Sequence, residues 1–166
     1  MDADFCGLFA VEDPHDAVSV KSRTGYVIMI ANCPLLWVSK LQSKISLSTQ
    51  ENEYVALSSS LQDVVTIKEL ITVVVEAIGL DKSKLKVITR SKAFEDNNDA
   101  LSLATKQKIT PQNHHIGSKW HWFRSYVDRG LIAIEKISTD KQLGDIFTKN
   151  LQADKFIAAH CMLCGW

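Results

Sequence analysis

Ser48 and Glu51 form a capping-box pattern, and from Tyr54 onward Leu57, Leu61, Val64, Ile71, Val74 and Ile78 keep to one helical face until Gly79. That spacing predicts one long amphipathic helix, which must lie against something apolar. The flanking segments predict sheet. Thr24-Gly25-Tyr26-Val27-Ile28-Met29-Ile30 is β-branched and aromatic, Ala31-Asn32-Cys33-Pro34 interrupts it, and Leu35-Leu36-Trp37-Val38 resumes it, which reads as a hairpin. Leu85 to Phe94 is extended in character, and Glu95-Asp96-Asn97-Asn98 suits a strand end followed by a helix cap for Ala100–Ala104. A basic loop containing Pro111 leads to a helical pattern from His114 through Arg129, stopped by Gly130. Leu131–Ile137 reads as a further strand, and Thr139 with Gln142 repeats the capping-box pattern ahead of a last helix. The order β, ββ, long α, β, α, α, β, α predicts a mixed α/β architecture with helices packed on a mixed sheet.

At 166 residues and 46% hydrophobic, the chain is expected to form a single domain, residues 1–166, around one core. Lys plus Arg and Asp plus Glu number 19 each, so a nucleic-acid contact would have to be a local basic patch. Four scattered cysteines, Cys6, Cys33, Cys161 and Cys164, do not make a disulfide scaffold at this length and suit a reducing compartment. The start, Met1-Asp2-Ala3-Asp4, lacks the basic and apolar regions of a signal peptide, and charges interrupt the apolar stretches inside the expected helices. The expectation is a cytoplasmic or nuclear protein that is not secreted and has no membrane partner.

Four acidic positions then stand out: Asp2 in the opening segment, Glu53 in the first turns of the long helix, Asp96 at a strand end, and Asp145 inside the last helix. Taken singly, each is most simply a cap or a solvated helix acid. Together they match the needs of magnesium, which prefers oxygen ligands and keeps an open site that substrate phosphate completes. A two-metal site would cut a phosphodiester without a nucleophilic side chain, and no serine or cysteine constellation in the sequence demands one.

The chain resembles the ribonuclease H domain that closes the polyprotein of copia-type retrotransposons, essentially from Asp2 to the C-terminus. The resemblance is carried by Asp2-Ala3-Asp4-Phe5, Ser22 through Val27, Trp37 through Gln42, Leu47 through Leu57, Phe94 through Asn98, His115-Ile116 followed by His121-Trp122-Phe123-Arg124, and Gln142 through Lys149. It implies a mixed five-stranded sheet with the first strand at its centre and helices on both faces. It also implies that Asp2, Glu53, Asp96 and Asp145 are the catalytic, metal-binding carboxylates, with two Mg2+ ions, or Mn2+ in their place, as cofactor. The implied partners are an RNA/DNA hybrid and an adjacent reverse transcriptase domain, in a virus-like particle in the cytoplasm or in the nucleus. No small-molecule cofactor is implied. Asp4 and Glu51 are expected to stand behind the ligands or face solvent. The family's first strand begins several residues before its first aspartate, whereas Met1 alone precedes Asp2 here. The expectation is an incomplete first strand, in a fragment of a longer polyprotein or the product of a truncated gene. Gln50 and Asn52 depart from the family's usual threonine and alanine, and His114 from its usual lysine.

Lys106, Lys108, Lys119, His121 and Arg124, interleaved with aromatics, are the candidate contacts to the hybrid, whereas Trp120 and Phe123 fit the buried stripe. Cys161-x-x-Cys164 is not read as a zinc site, because no second ligand pair exists. The competing functional expectation is a truncated or co-opted transposon remnant that binds nucleic acid or a partner without cutting. An integrase-like nuclease is disfavoured by the acidic order Asp, Glu, Asp, Asp.

Overall fold

In a computed structural model, which describes residues 1–7, 16, 18–81, 90–105 and 122–165, the expected hairpin forms from β2 (Arg23–Ile30) and β3 (Cys33–Leu41). The strands pair antiparallel from Arg23 opposite Leu41 to Ile30 opposite Cys33. The turn is shorter than the sequence suggested. Ala31 and Asn32, at φ 51° and 63°, make it alone, in the left-handed geometry that matches strand twist in two-residue hairpins. Cys33 and Pro34 belong to the strand, where Pro34 is tolerated because β3 is an edge strand and the register shifts between Ile28 and Met29 opposite it.

On the other edge of β2 lies β1 (Asp2–Asp4), with Asp2 opposite Gly25 and Asp4 opposite Arg23. The long helix is α1 (Thr49–Ala77). The cap half of its predicted capping box is made, with Ser48 Oγ accepting from Glu51 N–H at 3.1 Å, while Glu51 reaches one residue past the N-cap to accept from Leu47 N–H at 2.7 Å. Gln42 anchors the helix start over the sheet by donating to Thr24 Oγ1 at 3.0 Å and to the Asn52 carbonyl at 2.9 Å. Tyr54, Leu57 and Leu61 are buried with Tyr26, Phe123 and Ile132 in the core. The apolar stripe is not buried along its whole length, since Val74 is 50% and Ile78 63% exposed. Burial along α1 is concentrated in its first half, from Asn52 to Leu61, with Val75 buried further on.

Beyond α1, β4 (Ser91–Glu95) pairs in parallel with β5 (Ile132–Lys136). α2 (Asn98–Thr105) is capped by Asn97, whose Oδ1 accepts from Asp99 and Ala100 N–H at 2.9 and 3.0 Å. Phe123 precedes α3 (Arg124–Asp128) and packs on Tyr54 at a ring separation of 5.4 Å, the core role expected of it. The first parts of the expected Leu85–Phe94 strand and His114–Arg129 helix, Trp120 among them, lie outside the described residues. The capping pattern at Thr139 and Gln142 does not open a helix. Two short 3-10 turns, Thr139–Lys141 and Leu143–Phe147, follow instead, and α4 begins only at Ala153 and runs to Cys164. Asp145 therefore lies in a 3-10 turn and not inside the last helix.

The fold class is mixed α/β, as expected, but a single five-stranded sheet is not what the described residues form. They form a three-stranded sheet in the order β1-β2-β3 and a separate two-stranded one, β4-β5. β1 pairs with Arg23–Gly25, and among the described residues no strand pairs with Tyr26–Ile30 on that side. Across a groove of about 520 Å3, lined by Ile28, Val64, Ile71 and Ala93 among others, stands β4. The Met1 amine reaches over it to the Phe94 carbonyl at 3.4 Å. No helix among the described residues is long and apolar enough to cross a membrane.

Candidate metal centre

Four elements deliver carboxylates to one place. The two-residue period of β1 puts Asp2 and Asp4 on the same face, and Asp2 is 1% exposed. Glu53, buried, comes from the second turn of α1; Asp96 follows directly on β4; Asp145, also buried, comes from the second 3-10 turn. Two glycines let that turn lie against the sheet. A Cβ on Gly144 would come within 2.7 Å of Asp2 N, and one on Gly25 within 2.9 Å of the Gly144 carbonyl. Both are close-approach positions that any side chain would force open.

The four carboxylates do not converge equally. One oxygen from each of Asp2, Glu53 and Asp96 lies within 4.8 Å of the others, a spacing a single cation spans. Asp145 is held apart from this triple and meets Asp2 through Lys149, whose Nζ stands 2.9 Å from Asp2 Oδ1 and 3.3 Å from Asp145 Oδ1. The other Asp2 oxygen accepts from Thr148 Oγ1. Asp96 accepts from Thr139 Oγ1 at 3.0 Å and more weakly from Gln142 Nε2 at 3.4 Å. Gln142 Oε1 in turn accepts from the Met1 amine at 3.0 Å and from Gly144 N–H at 3.3 Å. Glu53 Oε2 is buried without a hydrogen-bond partner.

Burial and mutual repulsion dominate the electrostatics. Burial first, then Asp2, Glu95 and Asp96, push the Glu53 carboxyl up to about 9. Glu95, fully buried one residue before Asp96, is pushed up to about 8 by burial despite the Asn97 N–H it accepts from. Burial and then Asp2 raise Asp145 to about 6, with Lys149 opposing. The Met1 amine is lowered from 8.0 because its burial outweighs the surrounding carboxylates. Burial alone would lower Lys149, yet its hydrogen bond to Asp2 and the charges of Asp2 and Asp145 raise it. Such a site is short of positive charge, and an all-oxygen donor set with one orphaned buried oxygen fits a hard divalent cation.

The groups that hold the carboxylates are Thr139, Gln142, Thr148 and Lys149; the sequence marks Thr139 and Gln142 only as a cap pattern and Thr148 and Lys149 only as part of a resembling segment, with no sign of the contacts they make. Glu95 is a further buried carboxylate beside the triple. Of the expected hybrid contacts, Lys106, Lys108, Lys119 and His121 lie outside the described residues. Arg124 turns inward, donating to the Leu103 carbonyl, with its Nε buried and unpartnered.

The chain is similar to retrovirus-related Pol polyproteins of plant transposons. It is 29% identical over 155 residues to the one from transposon TNT 1-94 of Nicotiana tabacum and to the one from transposon RE2 of Arabidopsis thaliana. It is 28% identical over the same length to that from transposon RE1 of Arabidopsis thaliana. Each match covers 93% of this chain, which spans only about a tenth of the length of the polyproteins, 10% for the first two and 9% for the third. No family model and no solved structure matches.

Proposed function

We propose that this chain is a ribonuclease H-like domain of copia-type retrotransposon origin that hydrolyses the RNA strand of RNA/DNA hybrids with magnesium, beside a reverse transcriptase domain. The observation that carries the proposal is the meeting of Asp2, Glu53 and Asp96 oxygens within 4.8 Å, with Glu53 Oε2 left without a partner. Similarity to transposon Pol polyproteins over 93% of the chain supports it.

Asp2, Glu53 and Asp96 would hold one Mg2+ and Asp2 with Asp145 the other, with Mn2+ able to replace either. When bound, the ions supply activation of the attacking water and stabilisation of the leaving oxygen of an in-line displacement. The chain's own part is to keep the ligands in place: Gln142 and Thr139 orient Asp96, Thr148 orients Asp2, and the Gln42 anchor fixes the turn of α1 that presents Glu53. Burial of Asp2 and Glu53 keeps water from screening these charges.

End-labelled RNA/DNA hybrid incubated with the protein, with and without Mg2+ and alongside Asp96→Asn, tests the proposal. Cleavage that requires both the metal and Asp96 is expected. An intact hybrid with a folded, metal-binding protein would overturn it. That result would favour the alternative, a non-catalytic remnant that binds nucleic acid or a partner.

A further inference from the structure

In the two-ion reading proposed above, Asp2 belongs to two cation positions, one shared with Glu53 and Asp96, whose oxygens meet within 4.8 Å, and one shared with Asp145. Among the described residues no lysine or arginine pairs with Glu53 or Asp96, so the side-chain cation that touches the first position does so through the shared ligand Asp2 alone. The second has this cation directly, because Lys149 Nζ stands between Asp2 Oδ1 and Asp145 Oδ1 at 2.9 and 3.3 Å. An ammonium so placed does for that pair what a divalent ion would do, at half the charge, and the two cannot share the space.

Lys149 is also built to leave. Its backbone is fixed, with the N–H donating to the Asp145 carbonyl at 3.0 Å. Its side chain is 37% exposed, against 1% for Asp2. A flexible four-carbon stem with three rotatable donors can swing from a buried carboxylate to solvent without moving the turn that carries it.

We propose that Lys149 is a resident placeholder at the second cation position, so that the free protein takes a divalent ion at Asp2, Glu53 and Asp96 and is closed to one at Asp2 and Asp145 until the ammonium withdraws. This rests on the metal-dependent reading above and adds its regulation. Two ions then load unequally, and the second depends on whatever draws Lys149 away. An anionic group approaching the open rim of the site, such as a phosphate of a nucleic-acid backbone, has the chemistry to do so.

The test counts Mn2+ ions bound per chain, without nucleic acid, by titration calorimetry and by the loss of the free-ion paramagnetic resonance signal. Wild type, Lys149→Met and Lys149→Arg are compared, with circular dichroism melts to establish folding. Lys149→Met is expected to bind one more Mn2+ than wild type, and Lys149→Arg, which keeps the charge, the same number as wild type. Lys149→Gln, which keeps a donor without the charge, should gain the same ion and serves if the Met variant does not fold. Equal counts in wild type and both uncharged variants overturn the placeholder, while the metal centre itself stands if Glu53→Gln abolishes the ion that wild type binds. Absence of Mn2+ from wild type and uncharged variants alike sinks the metal centre, and the placeholder with it.

Discussion

Asn52 is fully buried in the second turn of α1, and neither its side-chain oxygen nor its nitrogen has a hydrogen-bond partner. Its carbonyl serves the fold by accepting from Gln42, but that role belongs to the backbone and survives substitution. Asn52→Ala should therefore stabilise the protein. A buried, unsatisfied polar group costs about 1–3 kcal/mol, and the amide offers two. Replacing asparagine by alanine inside a helix adds roughly 0.5 kcal/mol. Against this stands the small cavity, for which a loss of about 1 kcal/mol, in the Ile→Val range, is a fair measure. Counting the amide conservatively as one such group, the balance is a gain of about 0.5–2.5 kcal/mol, or roughly 2–8 °C in Tm for a chain of this size. Thermal and urea denaturation followed by circular dichroism, with unchanged m-value, would check it. A lower Tm in Asn52→Ala would refute the reasoning, because it would mean that the amide is satisfied in solution and holds α1 in place.

Gly144→Ala should do the opposite: a Cβ within 2.7 Å of Asp2 N and of the Met1 carbonyl carbon must push β1 or the turn aside. A loss of about 1–3 kcal/mol in urea denaturation is expected from such overpacking, together with weaker Mn2+ binding, and an unchanged midpoint would refute the close approach. Stability without metal should fall as pH rises from about 5 to about 9. The folded protein keeps protons on Glu53 (about 9) and Glu95 (about 8) that the unfolded chain releases near the ordinary value of 4.5. The Met1 amine, lowered from 8.0, works in the other direction, but two carboxyls outweigh one amine. Tm measured across that range should decline in wild type, decline less in Glu53→Gln, and flatten with saturating Mg2+; a Tm that climbs toward pH 9 without metal would contradict the buried-carboxyl picture.

Much of the fold was legible because the signals were local. The Ser48 cap on Glu51 N–H, the β-branched run of β2 and the Asn97 cap each depend on neighbours within a few residues, and each forms as the pattern predicts. The departures come where a distant contact outvotes a local signal. Thr139 and Gln142 match a capping box, but their side chains are drawn to Asp96, more than 40 residues away in sequence, and the backbone there closes into 3-10 turns instead of a helix. The stripe of α1 continues in sequence to Ile78, yet Val74 and Ile78 stand 50% and 63% exposed. Periodicity shows which face of a helix is apolar; it does not show how far the partner surface extends.

The site follows the same division. The family resemblance, more than residue type or order, singles out Asp2, Glu53, Asp96 and Asp145, and all four come to one region, but sequence alone treats them as equals. The structure separates them by what each is paired with. Asp2 has both oxygens partnered, Asp96 is gripped by two neutral donors, Asp145 shares a lysine, and Glu53 keeps one oxygen bare. A neutral donor can orient a carboxylate without cancelling its charge, whereas an ammonium cancels it. The Lys149 ammonium therefore meets charge at both Asp2 and Asp145, while among the described residues no ammonium pairs with Glu53 or Asp96. That asymmetry comes from the identity of residues 139, 142, 148 and 149, and it makes the order of cation binding a property of the supporting side chains as much as of the ligands themselves.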